Sequence, residues 1–356
     1  MANRRARLLS VVLLLALPCA ILHSVSSGVI NIPLAVSLQS LGQFLGLPVV
    51  PVDPQHQLVL ASIRWPRTLM AVLVGACLAM CGAAMQGLFR NALADPSLIG
   101  VSSGASLGAS VAIVLGSTVL AGAGELLGTN SAVLTTYLVA IMAFFGGFIA
   151  TIFVYRLGTS GGATSVATML LAGIAITAVA GAVSNIFSFI ADDLALRRIS
   201  LWRMGSLDGA NWQQLTVAAS LIGLVLIALP RYSRVLNALL LGESEAGHLG
   251  INVQRVKLQL IAWTALGVGV AVSVSGVIGF VGLIVPHLVR LLIGPDHRRL
   301  LPASALLGAS LLVVSDTIAR TLMAPVEIPI GIVTALLGAP FFISLLLQQR
   351  QKLALL

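Results

Sequence analysis

Of 356 residues, 9% are charged and 58% are hydrophobic, and the mean hydropathy is +1.06, far from the averages of a soluble globular domain. The formal net charge of +9 is scattered over short polar breaks between long apolar runs, which argues against a basic nucleic-acid-binding domain. The 35 glycines and the long uncharged segments fit closely packed helices better than alternating barrel strands. The expected fold class is therefore all-α, a polytopic membrane protein of about ten transmembrane helices in one domain covering residues 1–356.

Spans are expected near 8–28, 68–89, 97–120, 133–155, 166–190, 213–230, 257–275, 277–293, 302–320 and 329–348. Each approaches the roughly 20 helical residues that cross a hydrocarbon core about 30 Å thick. At the N-terminus, Arg4, Arg5 and Arg7 precede the apolar run Leu8–Leu17 and then Pro18-Cys19-Ala20, the outline of a signal peptide. The apolar character continues to about Ile32, so retention as a first span is expected. The second span has marked borders: Arg64 and Arg67 flank Pro66 on one side, and Arg90 and Asp95 lie beyond the other, with no charge from Thr68 to Phe89. The uncharged run Leu258–Val289 is too long for one crossing, which places a tight reversal at Ser273–Gly279. With the N-terminus cytoplasmic, 14 of the 20 basic residues fall on the inner side, in agreement with the positive-inside rule and with both termini cytoplasmic. No composition shift or convincing internal repeat divides the chain.

The chain has no phosphate-binding loop of the G-x-x-x-x-G-K-[ST] kind, since its only lysines are Lys257 and Lys352, each followed by Leu. It is not expected to be an enzyme, and any ATP chemistry belongs to another polypeptide. An ion-coupled secondary transporter is the alternative from a different class, and it calls for ionisable groups near the bilayer midplane. The nearest candidates, Asp316, His287 and Arg290, all lie toward span ends. Cys77, Cys81 and Met85 share one helix face at i, i+4 and i+8, which reads as packing in a Gly-rich helix rather than as a metal or heme site. His287, beside Pro286, is expected to bond backbone carbonyls that the proline frees. No metal and no cofactor is expected.

Seven phrases carry a family likeness: RWPRTLMAVLVGACLAMCGAAMQGLFRNALADPSLIGVSSGA (64–105), LLAGIAI (170–176), WRMGSLDGANW (202–212), LLLGESEAGHLGINV (239–253), IGFVGLIVPHLVRLLIGPDHRRLLP (278–302), SDTIAR (315–320) and EIPIGIVTALLGAPFF (327–342). In this order and spacing they resemble the permease subunits of binding-protein-dependent ABC importers for iron-siderophores, heme and cobalamin. Trp65 stands where the family usually has Leu and suits an interfacial position; Ala92 stands where it usually has Pro and loosens a cytoplasmic turn.

The resemblance implies a multi-pass permease of the bacterial inner membrane: a homodimer in lipid, two ATP-binding-cassette ATPase subunits beneath it, a periplasmic substrate-binding protein above, and no nucleic acid. It implies that the loop at about 231–256 couples to the ATPase, through a short helix beginning at Gly242 with Glu243 and Glu245 in its first turn, and with Ala246, Leu249 and Gly250 on the contact. Arg64, Arg67 and Arg320 are implied to dock the binding protein, with interfacial snorkelling or an internal Arg320–Asp316 pair at i, i+4 as the structural alternative. The path is implied to run between two copies of the fifth span, closed below by Gly161–Thr168, with Thr164, Ser165 and Thr168 as gate residues. The phrase ADDLALRRISLWRMGSL leans the cargo slightly toward heme, ahead of a ferric siderophore and of cobalamin.

Overall fold

The computed structural model describes residues 2–44, 46–48, 50, 52–127, 131–160 and 163–354. Among these the helices in chain order are α1 (Ala2–Ser26), α2 (Leu34–Phe44), α3 (Pro54–Val59), α4 (Trp65–Leu88), α5 (Val101–Leu127), α6 (Ser131–Gly158), α7 (Val166–Ile190), α8 (Asp193–Met204), α9 (Trp212–Ala228), α10 (Ser233–Leu239), α11 (Glu243–His248), α12 (Val253–Ser275), α13 (Val281–Ile293), α14 (His297–Thr321) and α15 (Ile330–Ala354). Two short strands, β1 (Thr159–Ser160) and β2 (Ala163–Thr164), pair antiparallel between α6 and α7.

Among the described residues, seven segments are long and apolar enough to cross a membrane: Leu8–Ser26, Pro54–Leu88, Leu134–Gly158, Val166–Ile190, Trp212–Leu239, Val253–Ser275 and His297–Thr321. Val101–Gly116, Val281–Ile293 and Ile330–Ser344 are shorter apolar helices. The chain is a multi-pass membrane protein. The break expected at Ser273–Gly279 falls between α12 and α13, where Gly276 takes φ 66° and a Cβ would collide with the Trp202 carbonyl. Helices α2 and α8, outside the expected spans, are additional.

The second span starts earlier than its sequence borders suggest. Asp53 caps α3, accepting from the N–H groups of Gln55 and His56, and the helix runs on through one wide π turn, Leu60–Arg64, into α4. In that register Trp65 N–H reaches back five residues to Leu60, so Ala61 would be the partner of Pro66, which has no N–H. The Trp212 indole donates to the orphaned Ala61 carbonyl at 2.7 Å. Trp65 itself is not interfacial: it is buried, with its indole 3.4 Å from Ser40 Oγ on α2.

Helix α4 forms the centre, enclosed by α14, α12, α13, α9 and α1, and nearly all of it is buried. Lipid tails are as apolar as leucine side chains, so helices hold together through close packing at small residues. Gly75 of α4 meets Gly308 of α14, Gly82 meets Gly282 of α13, and Gly104 of α5 meets Gly146 of α6. By contrast α7 turns Leu171, Ile174, Val179, Ile186 and Phe189 outward.

The glycine contacts give a direct test. Any side chain at Gly82 collides with the Gly282 main chain, so Gly82→Val is expected to cost about 1–3 kcal/mol or more and to lower the thermal midpoint in detergent. Gly223→Ala, in open space on α9, is expected to leave the midpoint unchanged or slightly raised.

Candidate functional site

At the Trp65 end of α4, expected from the sequence to face outward, three arginines converge. The sequence puts Arg64, Arg67 and Arg320 at this mouth as partner contacts; the structure brings them together but turns them inward, leaving each only 5 to 6% exposed. The cause is the end of α1, whose last carbonyls have no helical partners. Arg64 donates to the carbonyls of Val25 (2.6 Å), Ser26 (2.8 Å) and Ile30, while Arg320 donates to those of Ser24 and Ser27, both at 3.0 Å. Cations at a helix C-terminus also complement its dipole. Asp316, fully buried on α14, joins the other two elements: Arg67 Nε lies 2.9 Å from Oδ1 and Arg320 Nε 2.9 Å from Oδ2. The internal Arg320–Asp316 pair is thus present. Toward the rim, Arg67 Nη1 meets Glu327 at 2.8 Å, and the exposed Asp208 stands 4.0 Å away.

At the Leu88 end of α4, expected from the sequence to face inward, the loop between α9 and α12 folds into two short helices. Gly242 begins α11 with φ 133° and Gly250 follows it with φ 81°, conformations that favour glycine. Ala246 is the fully buried residue of α11, while Glu245 and Leu249 are exposed. Leu241 and Leu249 are 70% and 65% exposed, an apolar corner on a polar loop. Glu243 is not free: its carboxylate holds Lys257 Nζ at 2.7 Å. The sequence reading missed Lys257, whose available signal was its rarity as one of two lysines. Asn237 of α10 donates to Asp296 at 2.6 Å and accepts from His297 N–H at 2.8 Å, fastening the loop to α14.

Of the gate segment, Gly161 and Gly162 lie outside the described residues. Thr164 is buried, and the exposed Ser165 caps α7 by accepting from Thr168 N–H at 3.3 Å. Above it, hydroxyls on α5 and α7 pair across the helices: Ser103 with Thr177 at 3.1 Å and Ser110 with Ser184 at 2.8 Å. A cavity of about 290 Å³ opens there, lined by Ser102, Ser103, Ser106, Thr177, Ser184 and Arg203 among others. The sequence reading passed over this face, although its hydroxyls recur at helical spacing.

Three other residues singled out from the sequence, Cys77, Cys81 and His287, have packing roles. Cys77 and Cys81 are buried, with sulfurs 4.0 Å apart against Gly267 of α12. His287 does not bond a freed carbonyl through Nδ1, which has no hydrogen-bond partner; its ring meets Phe341 edge-on, with centroids 6.3 Å apart.

The outer cluster makes a quantitative prediction. Asp316→Ala leaves two guanidiniums buried without their shared carboxylate, so a loss of about 3–5 kcal/mol is expected in detergent unfolding. Glu327→Gln, at the rim, is expected to cost about 1 kcal/mol or less.

Comparison with known proteins identifies the family. The model of the FecCD transport family matches residues 13–348. The hemin transport system permease protein HmuU of Yersinia pestis is 48% identical over 291 residues, 82% of this chain and 84% of its own length. The cobalamin import system permease protein BtuC of Halobacterium salinarum is 44% identical over 295 residues, 83% of this chain and 75% of its own. A solved structure described as an inward-facing metal-chelate type ABC transporter superposes with a TM-score of 0.79 at 32% identity, covering 96% of this chain and 99% of that one. With nearly the whole chain matched, and with the matched region containing both the outer cluster and the inner loop, the protein belongs to the FecCD transport family and is an ABC-importer permease.

Proposed function

We propose that this permease carries an iron complex, heme ahead of a ferric siderophore, across the bacterial inner membrane. The observation that carries the cargo is the 48% identity to a hemin permease. Cobalamin is the second reading, favoured by the 44% identity to a cobalamin permease. The seven long apolar helices and three shorter ones support ten spans with both termini cytoplasmic.

In this reading two ATPase subunits sit beneath the loop at 231–256. The exposed Leu241 and Leu249, set around Glu245 and the close-packing Ala246, suit a groove on the ATPase. The outward apolar residues of α7 face a second copy and lipid, and the path runs between the two copies of α7, with Thr164, Ser165 and Thr168 at its lower end. The hydroxyl-lined cavity beside α7 offers such a path polar walls. A periplasmic binding protein docks over the arginine cluster. Because Arg67 already holds Glu327 at the rim, an incoming carboxylate competes with Glu327 for the same guanidinium.

Cargo is tested by uptake into proteoliposomes containing the permease, its ATPase and its binding protein, supplied in parallel with hemin, a ferric siderophore and cobalamin. ATP-dependent accumulation of hemin is expected; accumulation of cobalamin alone selects the second reading, and accumulation without the ATPase overturns both. Docking is tested by binding-protein affinity at low salt. Glu327→Gln is expected to tighten docking by about twofold to fivefold, the scale of one rim ion pair, and Arg67→Glu to weaken it. Equal affinities for the two variants would refute docking through Arg67.

A further inference from the structure

The loop assigned to the ATPase and the hairpin assigned to the gate share one buried cation. Lys257, in the first turns of α12, is only 2% exposed. Its ammonium donates to Glu243 Oε2 of α11 at 2.7 Å and to the Thr164 carbonyl of β2 at 2.8 Å. Three residues earlier on α12, Gln254 Oε1 accepts from Thr164 N–H at 2.9 Å. Both main-chain polar groups of Thr164 are therefore held by one face of α12. Thr164 pairs in turn with Thr159 at the end of α6, and its neighbour Ser165 caps α7.

We propose that Lys257 is the positioning residue that transmits movement of α11 to the gate hairpin and the lower end of α7. A buried ammonium stripped of its carboxylate is strongly disfavoured, so Glu243 cannot move away and leave Lys257 in place. If the ATPase displaces α11, Lys257 follows Glu243 and its bond to the Thr164 carbonyl is lost or drags β2 with it. Gln254 is not bonded to α11 in the structure, so it holds Thr164 without relaying motion from below. The inference rests on the reading of α11 as the ATPase contact. It adds a named link between that contact and the gate, where a merely structural Lys257 would only neutralise Glu243.

The test uses the complete complex of permease, ATPase and binding protein in nanodiscs. Spin labels are placed at Leu171→Cys in both permease copies, in a Cys19→Ala background. Leu171 is exposed on α7 one turn above the gate. The readouts are ATPase co-purification, ATP hydrolysis and the ATP-induced change in label distance. Lys257→Met is expected to retain the ATPase and its hydrolysis while the fraction of complexes changing distance per ATP falls about tenfold, within the range of coupling between sites. Lys257→Arg keeps a cation with donors for both partners and is expected to retain most of the change. The exchange Glu243→Lys with Lys257→Glu restores the ion pair but removes the donor to Thr164, so it is expected to remain uncoupled; it also keeps the charge balance should Lys257→Met fail to fold. An intact distance change in Lys257→Met, or recovery in the exchanged pair, overturns the proposal. Failure of the underlying reading is separate: Leu249→Asp would then leave ATPase co-purification unchanged, whereas loss of co-purification supports α11 as the contact.

Discussion

Asp316 is the constraint on which the Trp65 end of α4 and its neighbours depend. One carboxylate with no exposure accepts from Arg67 on α4 and Arg320 on α14, and Arg320 then satisfies carbonyls at the end of α1. Three helices distant in sequence are held at one level because no member can withdraw without leaving a buried charge or an orphaned carbonyl. Arg64 completes the arrangement by bonding the end of α1 and the Ile30 carbonyl beyond it, with its positive charge set beside Arg320. The cluster gives this end of the bundle a fixed cationic base with acidic Glu327 and Asp208 at its rim.

Beneath this clamp the helices are held by contact rather than by charge. The Gly75–Gly308 and Gly82–Gly282 approaches bring main chain against main chain along α4, so α13 and α14 have little freedom to slide on it. Helix α7 has few buried residues and a large outward apolar face. A rigid centre around α4 and a sparsely held α7 are a physical basis for motion confined to one side of the subunit.

The opposite end, around α10 and α11, uses charge sparingly and locally. The buried Lys257 pairs with the half-buried Glu243 near the start of α12, while Asn237 links α10 to the start of α14. Two separate fastenings therefore anchor one short loop, one leading toward the hairpin before α7 and the other toward the centre around α4.

Much of this was legible in the chain itself. Long uncharged runs dictated membrane-spanning helices, because backbone polar groups in hydrocarbon must be satisfied internally. The break between α12 and α13 followed from a run too long for one crossing, and the expected span 166–190 coincides with α7. The motif phrases placed the arginines and the GESEAGHLG loop at opposite ends, and whole-chain similarity bears out the family. What tertiary structure decided were the partners. Arg64, Arg67 and Arg320 read as surface charges because nothing local reveals that α1 ends beside them, and only the i, i+4 spacing of Asp316 and Arg320 hinted at an internal pair. The extension of the second span back to Pro54 needed Trp212, 151 positions away, to take the carbonyl that Pro66 leaves open. Lys257 gained its meaning only when folding set Thr164, 93 positions earlier, against it. Hydropathy fixes which segments enter the membrane because that energy is a sum over neighbouring residues. The pairing of buried charges and orphaned carbonyls depends on which helix ends meet, and only the packed chain specifies that.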